Sequence, residues 1–193
     1  MWPPVTRALI IANIGVFLLQ TAGADSFLMN FALWPLGPMF GPWQLFSYAF
    51  LHANVAHVLF NMLGLYMFGA DLERVWGARR FAAYFLICVL SAGIAQLALT
   101  ALTGQGYPTI GASGGVFGLL LAFAIYFPTR TIVPLFPPIP MPAWLFALIY
   151  GGLELVLGVS GTQAGVAHFA HLGGMLGGLV IIYGLWDRRL RFR

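Results

Sequence analysis

Long apolar runs, broken by short polar or turn-forming stretches, make up most of this chain of 193 residues. Six apolar segments stand out, over roughly 6–22, 54–70, 79–102, 113–127, 143–160 and 165–186, each bounded by charge or by Gly and Pro. Within them the apolar residues run on rather than alternate, which predicts membrane-crossing helices and disfavours a β-barrel. The fourth segment is short. Pro128 closes it 15 residues after Ser113, whereas about 20 residues are needed to cross hydrocarbon. Either the bilayer is thinned locally or the start of this helix lies below the outer surface. In the second case the loop before it dips inward, which irregular backbone tolerates only beside protein or a water-filled cavity.

Composition strengthens this picture. The chain is 61% hydrophobic and 7% charged, with a mean hydropathy of +0.90. A soluble domain carries about a quarter charged residues, so this chain cannot cover a water-facing surface. The expected fold class is all-α: a polytopic membrane protein of six transmembrane helices around a short central fourth helix, in a single domain over 1–193.

The net charge is +4, from nine arginines and no lysine. The arginines form no patch, so nucleic acid is not expected as a partner. They mark topology instead. Arg7, Arg74, Arg79, Arg80, Arg130, Arg188, Arg189, Arg191 and Arg193 all fall on one side of a six-span bundle. The opposite loops, 23–53, 103–112 and 161–164, contain none, and the positive-inside rule puts both termini in the cytoplasm. Met1-Trp2-Pro3-Pro4 lacks the basic start and cleavage site of a signal peptide, so the first span is expected to stay as an anchor. Cys88 is the one cysteine, so no intrachain disulfide can form. The long outer loop 23–53, with Trp34-Pro35-Leu36-Gly37-Pro38 and Gly41-Pro42-Trp43, suits either an interfacial excursion or a Pro-rich connector.

Strongly polar residues inside spans are costly and point to function. His57 and Asn61 lie in the second span, Glu154 in the fifth, His168 and His171 in the sixth. The second and sixth spans enter from outside, where the fourth begins at Ser113. Ser113, His57, Asn61 and His171 therefore arrive at one depth. The i, i+4 spacing puts His57 and Asn61 on one helix face. Chemically this set suits a serine hydrolase. His171 is the candidate base for Ser113, while His57, Asn61 and the Ser113 N–H are candidate oxyanion donors. Asp25, Asp71, Glu73 and Asp187 lie in loops or at span ends, and Glu154 near the outer end of its helix takes no catalytic role, so the expected arrangement is a dyad. His168, one turn above His171, is expected at the rim. Gly114-x-x-x-Gly118, Gly173-x-x-x-Gly177 and Gly174-x-x-x-Gly178 offer small faces for packing the fourth helix on the sixth. The competing readings are that Ser113 is an N-cap, that His52, His57, His168 and His171 build a metal site, and that the chain is a small transporter or an inactive scaffold.

Together, His52-Ala53-Asn54-Val55-Ala56-His57 with Asn61, then Gly111-Ala112-Ser113-Gly114, then Ala170-His171-Leu172-Gly173-Gly174 resemble the rhomboid intramembrane serine proteases in their minimal six-helix form. The resemblance covers nearly the whole chain, in the family's motif order. It implies a serine endopeptidase with Ser113 as nucleophile and His171 as base, and an oxyanion hole from His57, Asn61 and the Ser113 amide. Gly111 and Phe117 would support the site, the Phe117 ring packing on His171 where the family often has tyrosine. No metal or other cofactor is implied. The substrates would be single-pass membrane proteins, cut near helix-destabilising, small-residue sites. They would enter laterally near the second and fifth helices, towards a water-filled cavity opening to the extracytoplasmic side of the cell membrane. His52 would have a local structural role. Where many relatives carry Trp-Arg in the first loop, this chain has Trp43-Gln44, which leaves the anchoring of that loop open.

Overall fold

The structure is a computed structural model that describes residues 2–104, 106–135, 137–161 and 167–186. The start of the sixth apolar segment, most of the loop 161–164, Asp187 and the arginine-rich tail (Arg188, Arg189, Arg191 and Arg193) lie outside the described residues.

Among the described residues, six apolar helical segments follow one another. The first is α1 (Pro4–Ala22), followed in the first loop by the short helices α2 (Ala24–Phe31) and α3 (Gln44–Ser47). The second segment is a continuous stretch, Val55–Trp76, built from α4 (Val55–Gly64), a π turn at Leu65–Gly69 and α5 (Ala70–Trp76). The third is α6 (Ala78–Thr103) and the fourth α7 (Ser113–Tyr126). The fifth is α8 (Ala143–Ser160), and the sixth is α9 (His168–Ile181), with a π turn beyond it at Ile182–Trp186. Four of these segments are long and apolar enough to cross a membrane, while those starting at Ser113 and His168 are shorter. A two-stranded hairpin, β1 (Thr131–Ile132) with β2 (Met141–Pro142), joins α7 to α8.

Helix α7 has 14 residues, or about 21 Å, against about 30 Å of hydrocarbon. It sits at the centre, packed by α6, α8, α9 and the 65–69 turn. By contrast α8 rests on α7 and α9 and hardly meets α4.

Side-chain and loop contacts sort the connections onto two ends. At one end the buried Glu73 carboxylate accepts from Val5 N–H (2.9 Å), Thr6 N–H (2.7 Å) and Thr6 Oγ–H (2.7 Å). It thereby serves the orphan donors in the first turn of α1. Asp71 at the same end pairs with Arg74 and Arg130 at 2.6 and 3.3 Å. Replacing Glu73 with Ala strands two backbone donors and a hydroxyl away from water. We expect a loss of about 3 kcal/mol, read as a clear fall in Tm in detergent; an unchanged Tm would show that the contact is dispensable.

At the other end the first loop folds on itself, so it is no mere connector. Trp34 N–H donates to Gln44 Oε1 (3.2 Å), Gln44 Nε2–H donates to the Met39 carbonyl (2.9 Å), and Trp43 Nε1–H donates to the Asn30 carbonyl (2.8 Å). The neutral amide of Gln44 therefore anchors the loop from within. Gln20 of α1 holds both backbone groups of His52, donating to its carbonyl at 2.8 Å and accepting from its N–H at 3.1 Å. The loop also grips the segment ahead of α7. Leu33 and Thr109 exchange N–H···O bonds of 2.9 Å, and Gly111 N–H donates to the Tyr48 carbonyl at 2.9 Å.

Candidate active site

Ser113 opens α7, and the cap position belongs to Ala112, with no side-chain cap hydrogen bond. The serine hydroxyl instead lies 2.7 Å from Nε2 of His171. His171 stands in the first turn of α9, which starts at His168. Its ring stacks on Phe117, one turn below the serine, with centroids 4.5 Å apart and planes within 7°. The aromatic partner is thus in place without a phenol hydroxyl.

Close approach of α7 and α9 makes the meeting possible. A Cβ on Gly174 would collide with the main-chain oxygen of Gly114, and one on Gly114 would strike Ala92 of α6. The glycine face on α9 is shared, because Gly173 and Gly177 sit against Ser91 of α6 rather than against α7.

Gly111 has φ +120°, a conformation that favours glycine. A Cβ there would lie 2.8 Å from Nε2 of His57 and 3.6 Å from the Ser113 hydroxyl. The missing side chain lets the His57 ring reach the serine loop. His57 Nδ1 accepts from Ala53 N–H at 3.3 Å, so in the neutral ring Nε2 carries the hydrogen. That donor faces the serine loop. Asn54 caps α4 by accepting from His57 N–H at 2.9 Å. Asn61 is buried and donates one Nδ2 hydrogen to the His57 carbonyl at 3.1 Å, which leaves the amide a second hydrogen. The Ser113 N–H lies in the first turn of α7, where no intrahelical acceptor exists.

These groups share one cavity of about 940 Å³. Asn54, His57, Asn61, Thr109, Ser113 and His171 line its polar end. From there it continues as an apolar furrow past Leu63, Met67 and Phe68 of the second segment, and past Phe146 and Tyr150 of α8.

Two placements differ from the sequence-based expectation. His168 is buried, not at the rim, and its Nδ1 donates to Glu154 Oε2 at 2.6 Å. Glu154 is not set apart from the site. The same oxygen lies 2.8 Å from His171 Nδ1, although off the axis of a well-formed hydrogen bond. The signal that could have located Glu154 is its helix face, which carries Gly151 against Met175 and Gly158 against His168. Residues spaced 151, 154, 158 share a face, and two glycines there mark the side that a partner helix approaches.

Among the described residues, one group has the donor types and spacing to consider for a metal: Glu154, His168 and His171, with donor atoms within 4.8 Å of one another. Its two short separations, 2.6 and 2.8 Å, are those of N–H···O contacts. Ligands around a tetrahedral zinc stand about 3.3 Å apart. The four-histidine set is not gathered, since His52 packs edge-on to His57 with centroids 5.0 Å apart while His168 turns to Glu154. Burial, and then the neighbouring His57, push the imidazole of His52 down to about 4. It is therefore neutral at pH 7 and fits a packing role.

Fold and cavity together define a multi-pass helical membrane protein with a serine–histidine pair at the polar end of an interhelical cavity. The Rhomboid domain family matches residues 40–188, and the chain belongs to this family. It is 30% identical over 186 residues to RHOMBOID-like protein 12, mitochondrial, of Arabidopsis thaliana, covering 88% of this chain and 55% of that protein. To Rhomboid protease GlpG of Pectobacterium atrosepticum it is 29% identical over 189 residues, covering 95% and 63%. Rhomboid protein 1, mitochondrial, of Saccharomyces cerevisiae is 30% identical over 190 residues, with 92% and 51% covered. The chain thus spans from about half to just under two thirds of the length of these relatives.

Proposed function

We propose that this chain is an intramembrane serine endopeptidase, cutting transmembrane segments of other membrane proteins with Ser113 as nucleophile and His171 as base. The observation that carries the reading is the 2.7 Å contact between Ser113 Oγ and His171 Nε2 at the polar end of the cavity. His171 Nε2 takes the hydroxyl proton as Ser113 Oγ bonds to the scissile carbonyl carbon, and the C=O π pair moves to oxygen. His57 Nε2–H, the remaining Asn61 amide hydrogen and the Ser113 N–H meet that oxyanion. His171 then passes its proton to the leaving nitrogen, and the C–N bond breaks to leave an acyl-serine. A water deprotonated by His171 adds to the ester carbon, and the proton returns to Ser113 Oγ as the acid departs. Gly111 and Phe117 act as supports, the first admitting His57 and the second holding the His171 ring flat. No step needs a cofactor.

The furrow between α4 and α8 suits entry of a single-pass membrane protein from the bilayer, with its unwound end reaching the polar residues. The arginines at 7, 74, 79, 80 and 130 belong to the end opposite the site. By the positive-inside rule that end is cytoplasmic, with both termini there and the active site opening to the extracytoplasmic side of the cell membrane.

A serine-directed fluorophosphonate is expected to label purified protein at Ser113, and the protein in liposomes to cut a single-pass reporter. An inactive scaffold would do neither. Asn61→Ala is expected to reduce turnover tenfold to a thousandfold, measured as initial cleavage rates; a rate within twofold of wild type would remove Asn61 from the oxyanion hole.

A further inference from the structure

We propose that Glu154 is a positioning residue that turns the Ser113–His171 pair into a hydrogen-bonded chain, Ser113–His171–Glu154, in which His168 holds the carboxylate. This rests on the serine-protease reading above and adds to it a component drawn from the fifth helix.

One carboxylate oxygen, Oε2, lies 2.6 Å from His168 Nδ1 and 2.8 Å from His171 Nδ1. All three side chains are nearly enclosed, Glu154 being 13% exposed, His168 5% and His171 11%. A carboxylate offers lone pairs only, so it favours the tautomers with hydrogen on Nδ1 of both rings. For His171 this leaves the Nε2 lone pair facing the Ser113 hydroxyl, the form needed to accept its proton. When that proton arrives, the imidazolium has a counter-charge in contact in a poorly solvated place, where such attraction is strong. The misalignment at His171 is of the kind that tightens only when substrate is bound. His168 completes the logic: its aligned bond fixes Oε2, and Gly158 lets the two helices come close enough for the reach. The titratable groups around His171 are then Ser113 of α7, Glu154 of α8, His168 of its own helix and His57 of α4.

The test uses Glu154→Gln and Glu154→Asp in the full chain, together with the wild type. The amide of Glu154→Gln keeps a carbonyl oxygen able to accept from both Nδ1–H groups, but it removes the negative charge that faces the His171 imidazolium. For Glu154→Gln, kcat on the reporter is expected to fall tenfold to a thousandfold with KM within about threefold of wild type. Glu154→Asp, with the charge on a shorter arm, should recover part of the loss. Nitrogen-15 spectra of histidine-labelled wild-type protein supply a readout that packing alone would not move. With four histidines in the chain, the His171 signals can be assigned by substitution, and they should report hydrogen on Nδ1 and a bare Nε2. The inference is overturned if Glu154→Gln cleaves at the wild-type rate, or if wild-type His171 carries its hydrogen on Nε2. The tautomer measurement stands even where a variant does not fold. Failure of the broader reading looks different, since wild-type protein would then neither label at Ser113 nor cleave.

Discussion

Ser113→Ala is expected to bring cleavage of a single-pass reporter down to background, a loss of at least about 10⁴-fold. Without Oγ there is no atom to carry the acyl group, and His171 faces a methyl. His171→Ala should cost about as much. The double variant should be no worse than either, because the two side chains act as one unit. Stability should barely move in Ser113→Ala: the hydroxyl is not a cap, and its named partner is His171. Cleavage assays beside thermal melts make the comparison. Wild-type cleavage by Ser113→Ala would sink the proposed mechanism outright.

Gly174→Ala is expected to be nearly as damaging by a different route. The added carbon would land on the Gly114 carbonyl. Helical backbone cannot swing aside as a side chain can, so α9 must withdraw from α7. Overpacking of this kind typically costs about 1–3 kcal/mol. The withdrawal acts on the very pair that must touch, since Ser113 directly precedes Gly114 and His171 lies one turn before Gly174. A displacement near 1 Å costs on the order of a hundredfold in rate. Reporter cleavage should therefore fall at least a hundredfold, with a lowered Tm. Gly152→Ala, with nothing within 4 Å of the new carbon, serves as control and should leave both unchanged. A Gly174→Ala protein with wild-type rate and Tm would mean that the helices meet elsewhere.

How much of this was legible from residues alone depended on whether the signal was local. The serine and histidine stood out because each sits in a glycine-flanked motif, and the length between Ser113 and Pro128 already marked α7 as short. Glu154 was visible, but its direction was not. Helix α8 is apolar nearly all round, so periodicity does not say which side faces inward, and only the spacing of Gly151 and Gly158 carried that information. Gln20 and Glu73 were harder still. Each satisfies backbone groups 32 or 67–68 residues away, and a side chain that serves distant backbone leaves no mark in its own neighbourhood. Gln44 anchors the first loop through two neutral hydrogen bonds to backbone groups 10 and 5 residues before it, which its own neighbours in sequence do not announce.

On the proposed reading, the seam left between α4 and α8 bears on selectivity. Acyl chains surround the protein at far higher abundance than any polypeptide and suit the same oily trough. An incoming helix must displace them, and it gains little by doing so, because hydrocarbon is as apolar as its own side chains. For a protease of the proposed kind, choice of target would then be governed less by grip in the trough than by how readily the guest's backbone frays when it meets the polar mouth.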